Sequence, residues 1–527
     1  MNRFLTSVLP FVFLVVLSSC APQHPKDMKQ VDELRDRAER LVKSQALMGF
    51  ESWAFGKESN QDSLYKANST LFSLDNVALA KRAEGDETDA VQKKRLAYFS
   101  RYISTELISK EIAPVTDRTN NIEATATVTV AGKQIAYRQI PSLLANEKNQ
   151  TARRNYYLAQ SLVLDSLNTI LQQVEPVNAR LARELGYQSF NAMMDEMKGV
   201  SLQGARTMME SVLASTDSLY RALLREMLSE YLNLDTAHFY RYDIPALFRS
   251  SRFDKYFPPA SMVEALKMTY RGLGIDLDAQ KNLLIDAEVR PSKNARAVCF
   301  PIDVPNDIRL SIKPMGGFDD YSALFHEMGH GEHYASTKEH SFEFKYAGEP
   351  TVTESYAFLS EYLLANQAWL RIHQAMPMPV LKAFVRFQAF YRLYFVRRYC
   401  AKFLYELQLH AGSANAPALY AELTARAVGN QVNPADEKRY LADVDANYYS
   451  LSYLRAWFLE AQLNAKLTAQ FGANWFEHPG AGEFLRGLWE KGDRIDGNEL
   501  VQLIGYPAIT PEAWFAEIRA MIVLSAK

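Results

Sequence analysis

Apolar positions recur at helical spacing over most of the chain. Residues 27 to about 112 predict helices, with Glu33, Arg35, Arg37 and Lys43 on solvated faces, until Pro114 interrupts the pattern. Residues 123–137 change period: Thr125, Thr127 and Thr129 alternate with Ala126, Val128 and Val130 ahead of Ala131-Gly132, the pattern of a β-hairpin. Helical spacing returns from Pro141 to about Gly204, with a stop at Gly186. Near residue 290 the texture changes again. Residues 297–302 and 308–312 read as short strands, Gly316-Gly317 ends them, and Asp319 or Asp320 is placed to cap the next helix. Beyond it the chain is helical almost to its end, with breaks near residues 377–379, 412–417 and 479–482. The sum is a mainly α fold with a small β-sheet, without internal repeat or long linker.

A chain of 527 residues can bury a large core, and the change of texture divides it into two lobes, expected to interleave. Residues 20–290 would form a mainly helical N-terminal lobe with the hairpin, and residues 291–527 a metal-binding catalytic lobe. A formal net charge of −2 gives no basic field for nucleic acid, so no such partner is expected, and the chain is expected to be monomeric. Its 28 Tyr and 28 Phe suit either a large helical core or a cleft for extended peptides. The first 19 residues read as a targeting segment: Arg3, an apolar run over 5–17, then Leu17-Ser18-Ser19-Cys20. That ending resembles a bacterial lipobox, which implies lipid on Cys20 and a place in the cell envelope, facing the periplasm or on the outer membrane. Ala21 resembles the residue that follows the lipidated Cys in proteins sorted to an outer membrane. A plain secretory signal is the other reading. Only Cys299 and Cys400 then remain for one disulfide.

The chemistry concentrates in His326-Glu327-Met328-Gly329-His330. Positions i and i+4 of a helix share a face one turn apart, so both imidazoles can meet one metal ion, expected to be zinc, with Glu327 beside it. Two downstream carboxylates compete for the third ligand. Glu349, after 18 intervening residues, has the spacing of some aminopeptidases, but it sits in Gly348-Glu349-Pro350, and a residue before proline is disfavoured in a helix. Glu354 opens an amphipathic helix whose apolar side is Leu359, Tyr362, Leu363 and Leu370, interrupted only by Asn366, and it is the expected ligand. Glu361 shares the face of Glu354 and can hold a ligand histidine from behind. His333 and His340 are read as non-ligands.

This set resembles the zinc oligopeptidases of the gluzincin type: thimet oligopeptidase, neurolysin and the bacterial oligoendopeptidases. Angiotensin-converting enzyme is similar in HEMGH and in the distance to the glutamate, and carboxypeptidase Taq-like enzymes in Glu354-Ser355 and the step to Glu361. Residues 179–187 and 487–492 are similar to oligoendopeptidase segments. The resemblance implies a zincin-type helical peptidase with a deep substrate channel. It also implies hydrolysis of short peptides by metal-activated water, with Glu327 as general base, and a late helix supplying an oxyanion donor. Here Tyr449 and Tyr453, one turn apart, are the candidates, although no His lies between His410 and His478 to match the families' upstream histidine. Residues 296–300 stand where related enzymes present an edge strand, making Arg296 and Ala297 candidate substrate contacts. Arg296, Lys313 or Arg455 can hold a substrate C-terminal carboxylate. The alternatives are therefore a peptidyl-dipeptidase or carboxypeptidase, an aminopeptidase using Glu349, and a non-catalytic peptide-binding protein.

Overall fold

The structure is a computed structural model and describes residues 23–526, so the leader and Cys20 lie outside the described residues. The chain is mainly helical, with 72% of residues in helices against 5% in strands. One apolar core runs from Val31 to Met521 and draws on residues from both sides of position 290. Much of the aromatic content lies there: Phe248 and Tyr220 stack on Phe390, and Phe318 meets Phe257 and Phe384 edge-on. A smaller core, including Val128, Tyr157, Leu164 and Tyr242, lies under the hairpin.

The hairpin pairs β1 (Thr127–Val130) with β2 (Lys133–Ala136) about Ala131-Gly132. It starts later than expected, because Glu123 and Thr125 belong to the helix Ala90–Thr125. That helix also runs through Pro114, correcting the expected interruption. An internal proline costs about 3 kcal/mol, but Ile103, Leu107, Ile108, Ala113 and Val115 are buried on both sides of it and hold the helix on course. Arg35 is a second correction. It is buried rather than solvated, ion-paired to Asp32 and to the fully buried Glu343. Gly186 does stop its helix, in the left-handed region, with the Tyr187 N–H reaching back to the Ala182 carbonyl.

The second sheet has three strands in the order β3 (Leu283–Asp286), β5 (Asp307–Ser311), β4 (Val298–Asp303). β3 runs parallel to β5, and β4 antiparallel to it, which leaves β4 at an edge. The motif helix Phe318–Ser336 packs on this sheet, its Gly331 Cα set against Leu310 and Leu283. Its N-cap is Gly317, not an aspartate; Asp320 instead reaches back from within the first turn to accept the N–H groups of Met315 and Gly316. After a short helix, Phe342–Tyr346, the helix Thr351–Tyr362 is shorter than the sequence pattern suggests. Asn366 ends the apolar stripe by N-capping a separate helix, Gln367–His373, with Oδ1 accepting from Ala368 and Trp369.

Candidate metal centre

Glycine sets the distance between the two helices that carry the ligands. A Cβ on Gly329 would stand 2.4 Å from the Tyr356 carbonyl oxygen and 2.5 Å from the Ala357 Cα, so the motif helix touches the backbone of Thr351–Tyr362 directly. That approach brings the half-buried His326 and His330 to the buried Glu354, with one ligand atom from each within 4.8 Å of the others. Nε2 of His326 is 3.3 Å, and Nε2 of His330 3.7 Å, from Glu354 Oε2.

Each remaining donor atom is fastened from behind. His326 Nδ1 lies 3.0 Å from Glu361 Oε2, whose other oxygen accepts from the Ser322 hydroxyl at 2.7 Å. A carboxylate can only accept, so Nδ1 carries a proton and Nε2 is the nitrogen left to face a metal ion. His330 Nδ1 meets the Thr353 hydroxyl at 2.7 Å. Glu354 Oε1 accepts from the Tyr449 hydroxyl at 2.6 Å, whereas its buried Oε2 has no hydrogen-bond donor. One nitrogen from each imidazole and an orphaned carboxylate oxygen thus converge on one point. That arrangement is stable around a cation, and two nitrogens with one oxygen suit zinc, leaving a position open. The residues present fit one such ion.

Burial opposes charge on His326, but Glu354 and Glu361 outweigh it and hold the ring above its ordinary value, so the two carboxylates favour positive charge at Nε2, whether from a proton or from a metal ion that replaces it. Burial drives His330 down to about 4, keeping it a neutral donor. Burial also opposes charge on Glu354, yet His330 and His326 hold its carboxyl below the ordinary value. Glu327 is pushed up to about 7 by burial, against the pull of His326 and of the Cys299 N–H, which it accepts at 2.7 Å. β4 thereby turns an edge N–H toward the site, from the residue that follows Ala297 and Val298.

The candidates separate on position. Glu349 does not join the three ligands; it binds Lys198 Nζ at 3.4 Å, the Ser452 hydroxyl at 2.5 Å and the Thr351 N–H at 3.0 Å. Tyr449 and Tyr453 stand side by side with ring centroids 5.0 Å apart at the start of the helix Tyr449–Phe471. The Tyr449 hydroxyl is committed to Glu354, while that of Tyr453 meets no hydrogen-bonding partner among the described residues. Asn447 and Tyr448, both at positive φ, aim this helix, and Tyr448 is locked by Asn191 and stacked on Phe190. Arg296 is exposed and Lys313 lines a separate surface hollow with Asp319 and Asp320, so neither stands beside Tyr449 as Arg455 does. His333 is buried against Tyr334 and Tyr356 and lies outside the ligand group, and His340 is exposed. Cys299 and Cys400 are both free.

Three functional features escaped the sequence reading. The β3 strand, the Ser322 and Thr353 hydroxyls behind the ligands, and Lys198 carry no motif. Only the helical phase of Ser322, one turn before His326, and of Thr353, beside Glu354, gave a signal. No protein-family model matches the chain, and a search of curated proteins finds no match.

Proposed function

We propose that this chain is a zinc metallopeptidase of the gluzincin type that hydrolyses short peptides in a substrate channel. The observation that carries the reading is the convergence of His326 Nε2, His330 Nε2 and the orphaned Glu354 Oε2, with Glu327 on the residue after the first ligand. When bound, the metal supplies Lewis-acid activation of water and of the scissile carbonyl. Glu327 takes a proton and delivers it to the departing amine, its carboxylate steadied by the Cys299 N–H. Tyr449 positions Glu354, and Tyr453, whose hydroxyl is uncommitted, donates to the developing oxyanion. The edge of β4 holds the substrate main chain through hydrogen bonds, with Ala297 beside it and Arg296 at the rim.

Among the described residues no helix is long and apolar enough to cross a membrane. The protein is held at the cell envelope as a monomer by lipid on Cys20, with peptides as its partners. Replacing Cys20 by Ala should release it to the soluble fraction.

The test is digestion of defined peptides, from very short to about 40 residues, by the chain lacking residues 1–20, with metal content measured in parallel. Zinc at one ion per chain and cuts confined to the shorter peptides are expected. Glu327→Gln should keep the metal and lose about two to four orders of magnitude in rate. A folded, zinc-loaded wild type that binds peptides without cutting them would favour a non-catalytic binding protein.

A further inference from the structure

A cavity of about 400 Å³, large enough for a small molecule, lies away from the metal centre. The helices Gln367–His373, Met378–Leu409, Tyr449–Phe471 and Glu512–Ala526 enclose it, and it borders the ligand helix only at Leu359 and Tyr362. Leu363, Val385, Met521 and Leu524 make its walls apolar, and four charged residues stand among them: Arg371, Arg392, Glu460 and Glu517. Two of the four answer each other. Arg392 Nη1 donates to Glu517 Oε1 at 2.7 Å and its Nη2 to the Tyr362 carbonyl at 3.3 Å, with the guanidinium over the Tyr362 ring. Glu460, in contrast, is 1% exposed and makes no hydrogen bond with any described residue; its Oε2 is fully enclosed. Glu517 Oε2 also lacks a donor, and Arg392 Nε lacks an acceptor. Burial and the Glu517 carboxylate push the Glu460 carboxyl above its ordinary value, against the pull of Arg392. Arg371 is exposed and meets no carboxylate among the described residues. The cavity thus holds an unanswered acid in its buried part, an unanswered guanidinium in its exposed part, and apolar walls. Buried polar groups are ordinarily satisfied, so the acid calls for a partner.

We propose that this cavity binds a free α-amino acid with an apolar side chain, its ammonium on Glu460 and Glu517, its carboxylate toward Arg371 and its side chain on the apolar wall. An α-ammonium brings one positive charge and three N–H donors to two acid oxygens that have none. A bare metal ion suits the cavity less, because the Arg392 guanidinium stands against the same carboxylate and the walls are hydrocarbon. An uncharged apolar molecule would leave Glu460 and Arg371 as they are, and an anion would meet Glu460 as a like charge. The site is independent of the metallopeptidase reading, since none of His326, Glu327, His330 or Glu354 lines it.

The experiment is calorimetry on the full chain with four probes. They are L-leucine, 4-methylpentanoate (leucine without its ammonium), 3-methylbutylamine (leucine without its carboxylate) and glycine (without the side chain). Leucine should bind about 10- to 100-fold more tightly than 4-methylpentanoate, the range of one charge-assisted contact. A similar factor, about 10- to 100-fold, should separate it from glycine, the range of one buried leucine side chain. The amine should be only several-fold weaker, because Arg371 is exposed and its attraction is screened. Glu460→Gln should weaken leucine and the amine alike by about 10- to 100-fold in a chain that stays folded by circular dichroism. Arg371→Gln should weaken leucine several-fold and leave the amine as it was, a pattern that general loss of structure would not give. Absence of leucine binding at millimolar concentration to the folded chain overturns the proposal, and a proton alone then answers Glu460. Leucine binding that is unchanged in Glu460→Gln lies elsewhere and overturns it too. An amine that binds as tightly as leucine, with Arg371→Gln without effect on either, overturns the amino acid in favour of a simple cation.

Discussion

Gly329 is where packing and chemistry meet, and Gly329→Ala separates them. In an exposed helix the exchange would stabilise the chain by about 1 kcal/mol, because alanine loses less backbone entropy on folding. Here the new methyl would lie 2.4 Å from the Tyr356 carbonyl oxygen, 2.5 Å from the Ala357 Cα and 2.8 Å from the Ala357 nitrogen. All three are backbone atoms of the ligand helix, with no rotamer to change, so relief requires the two helices to part by about 1 Å. Overpacking of this kind costs about 1–3 kcal/mol, which outweighs the propensity gain. The proposed metal site suffers more. Ligand distances are tolerated within about 0.2 Å, so a shift of about 1 Å between the two histidines and Glu354 exceeds the allowance several-fold. Zinc affinity should fall at least 10- to 100-fold, read by competition with a chromophoric chelator, and the thermal midpoint of the metal-free chain should drop. Gly331→Ala is the control: its methyl would meet side-chain ends, Leu310 and Leu283 at 3.0 and 3.2 Å and Met328 Sδ at 3.7 Å, which can rotate. A Gly329→Ala chain with unchanged midpoint and unchanged zinc affinity would refute the claim that this contact sets the ligand spacing.

Three further outcomes follow from single contacts. Glu361→Ala leaves His326 Nδ1 without its acceptor, and zinc affinity should fall about 10- to 100-fold with little change in fold, measured by the same competition. Asn366→Ala removes the cap of Gln367–His373 and should lower stability by about 1 kcal/mol in urea unfolding. Burial lifts the Glu106 carboxyl from 4.5 to about 7, against the opposing hydrogen bond from Tyr65. The folded state therefore holds this proton more tightly than the unfolded state. That contribution is present below pH 4.5 and lost as pH rises through about 7. Allowing for partial solvent access, about 1–2 kcal/mol should disappear across that window. Glu106→Gln should flatten the loss, and an unaltered pH slope in the variant would exclude Glu106 as its source.

Local rules read the fold well where a local contact decides it, and failed where a distant one does. Gly186 and the β1–β2 turn are fixed within a few residues of themselves, and the sequence pattern located both; the break expected at 479–482 is instead the first turn of the helix Pro479–Trp489. Pro114 is a breaker by local rules, yet it is overruled by buried neighbours that belong to the long-range core. Arg35 occupies a position whose residue type says solvent, and only Glu343, more than 300 residues away, makes it a core residue. β3 is short, and its partner β5 lies beyond a crossover, so nothing within residues 283–286 marks it as a strand.

The site divides along the same line. A helix carries its own geometry, so His326, Glu327 and His330 could be placed from spacing alone, and Glu361 from its phase with Glu354. The choice between Glu349 and Glu354 also turned on a local fact, the proline after Glu349, and the ion pair with Lys198 shows where the displaced carboxylate goes. What spacing cannot supply is the approach of one helix to another. The commitment of Tyr449 to Glu354, with Tyr453 left uncommitted, depends on how Tyr449–Phe471 crosses the ligand helix. That crossing is set by Phe358 against Tyr453 and Trp457, and by the left-handed pair Asn447-Tyr448 pinned through Asn191. Two tyrosines one turn apart and alike in phase thus acquire different surroundings from contacts made far along the chain, one bound to Glu354 and one with its hydroxyl uncommitted.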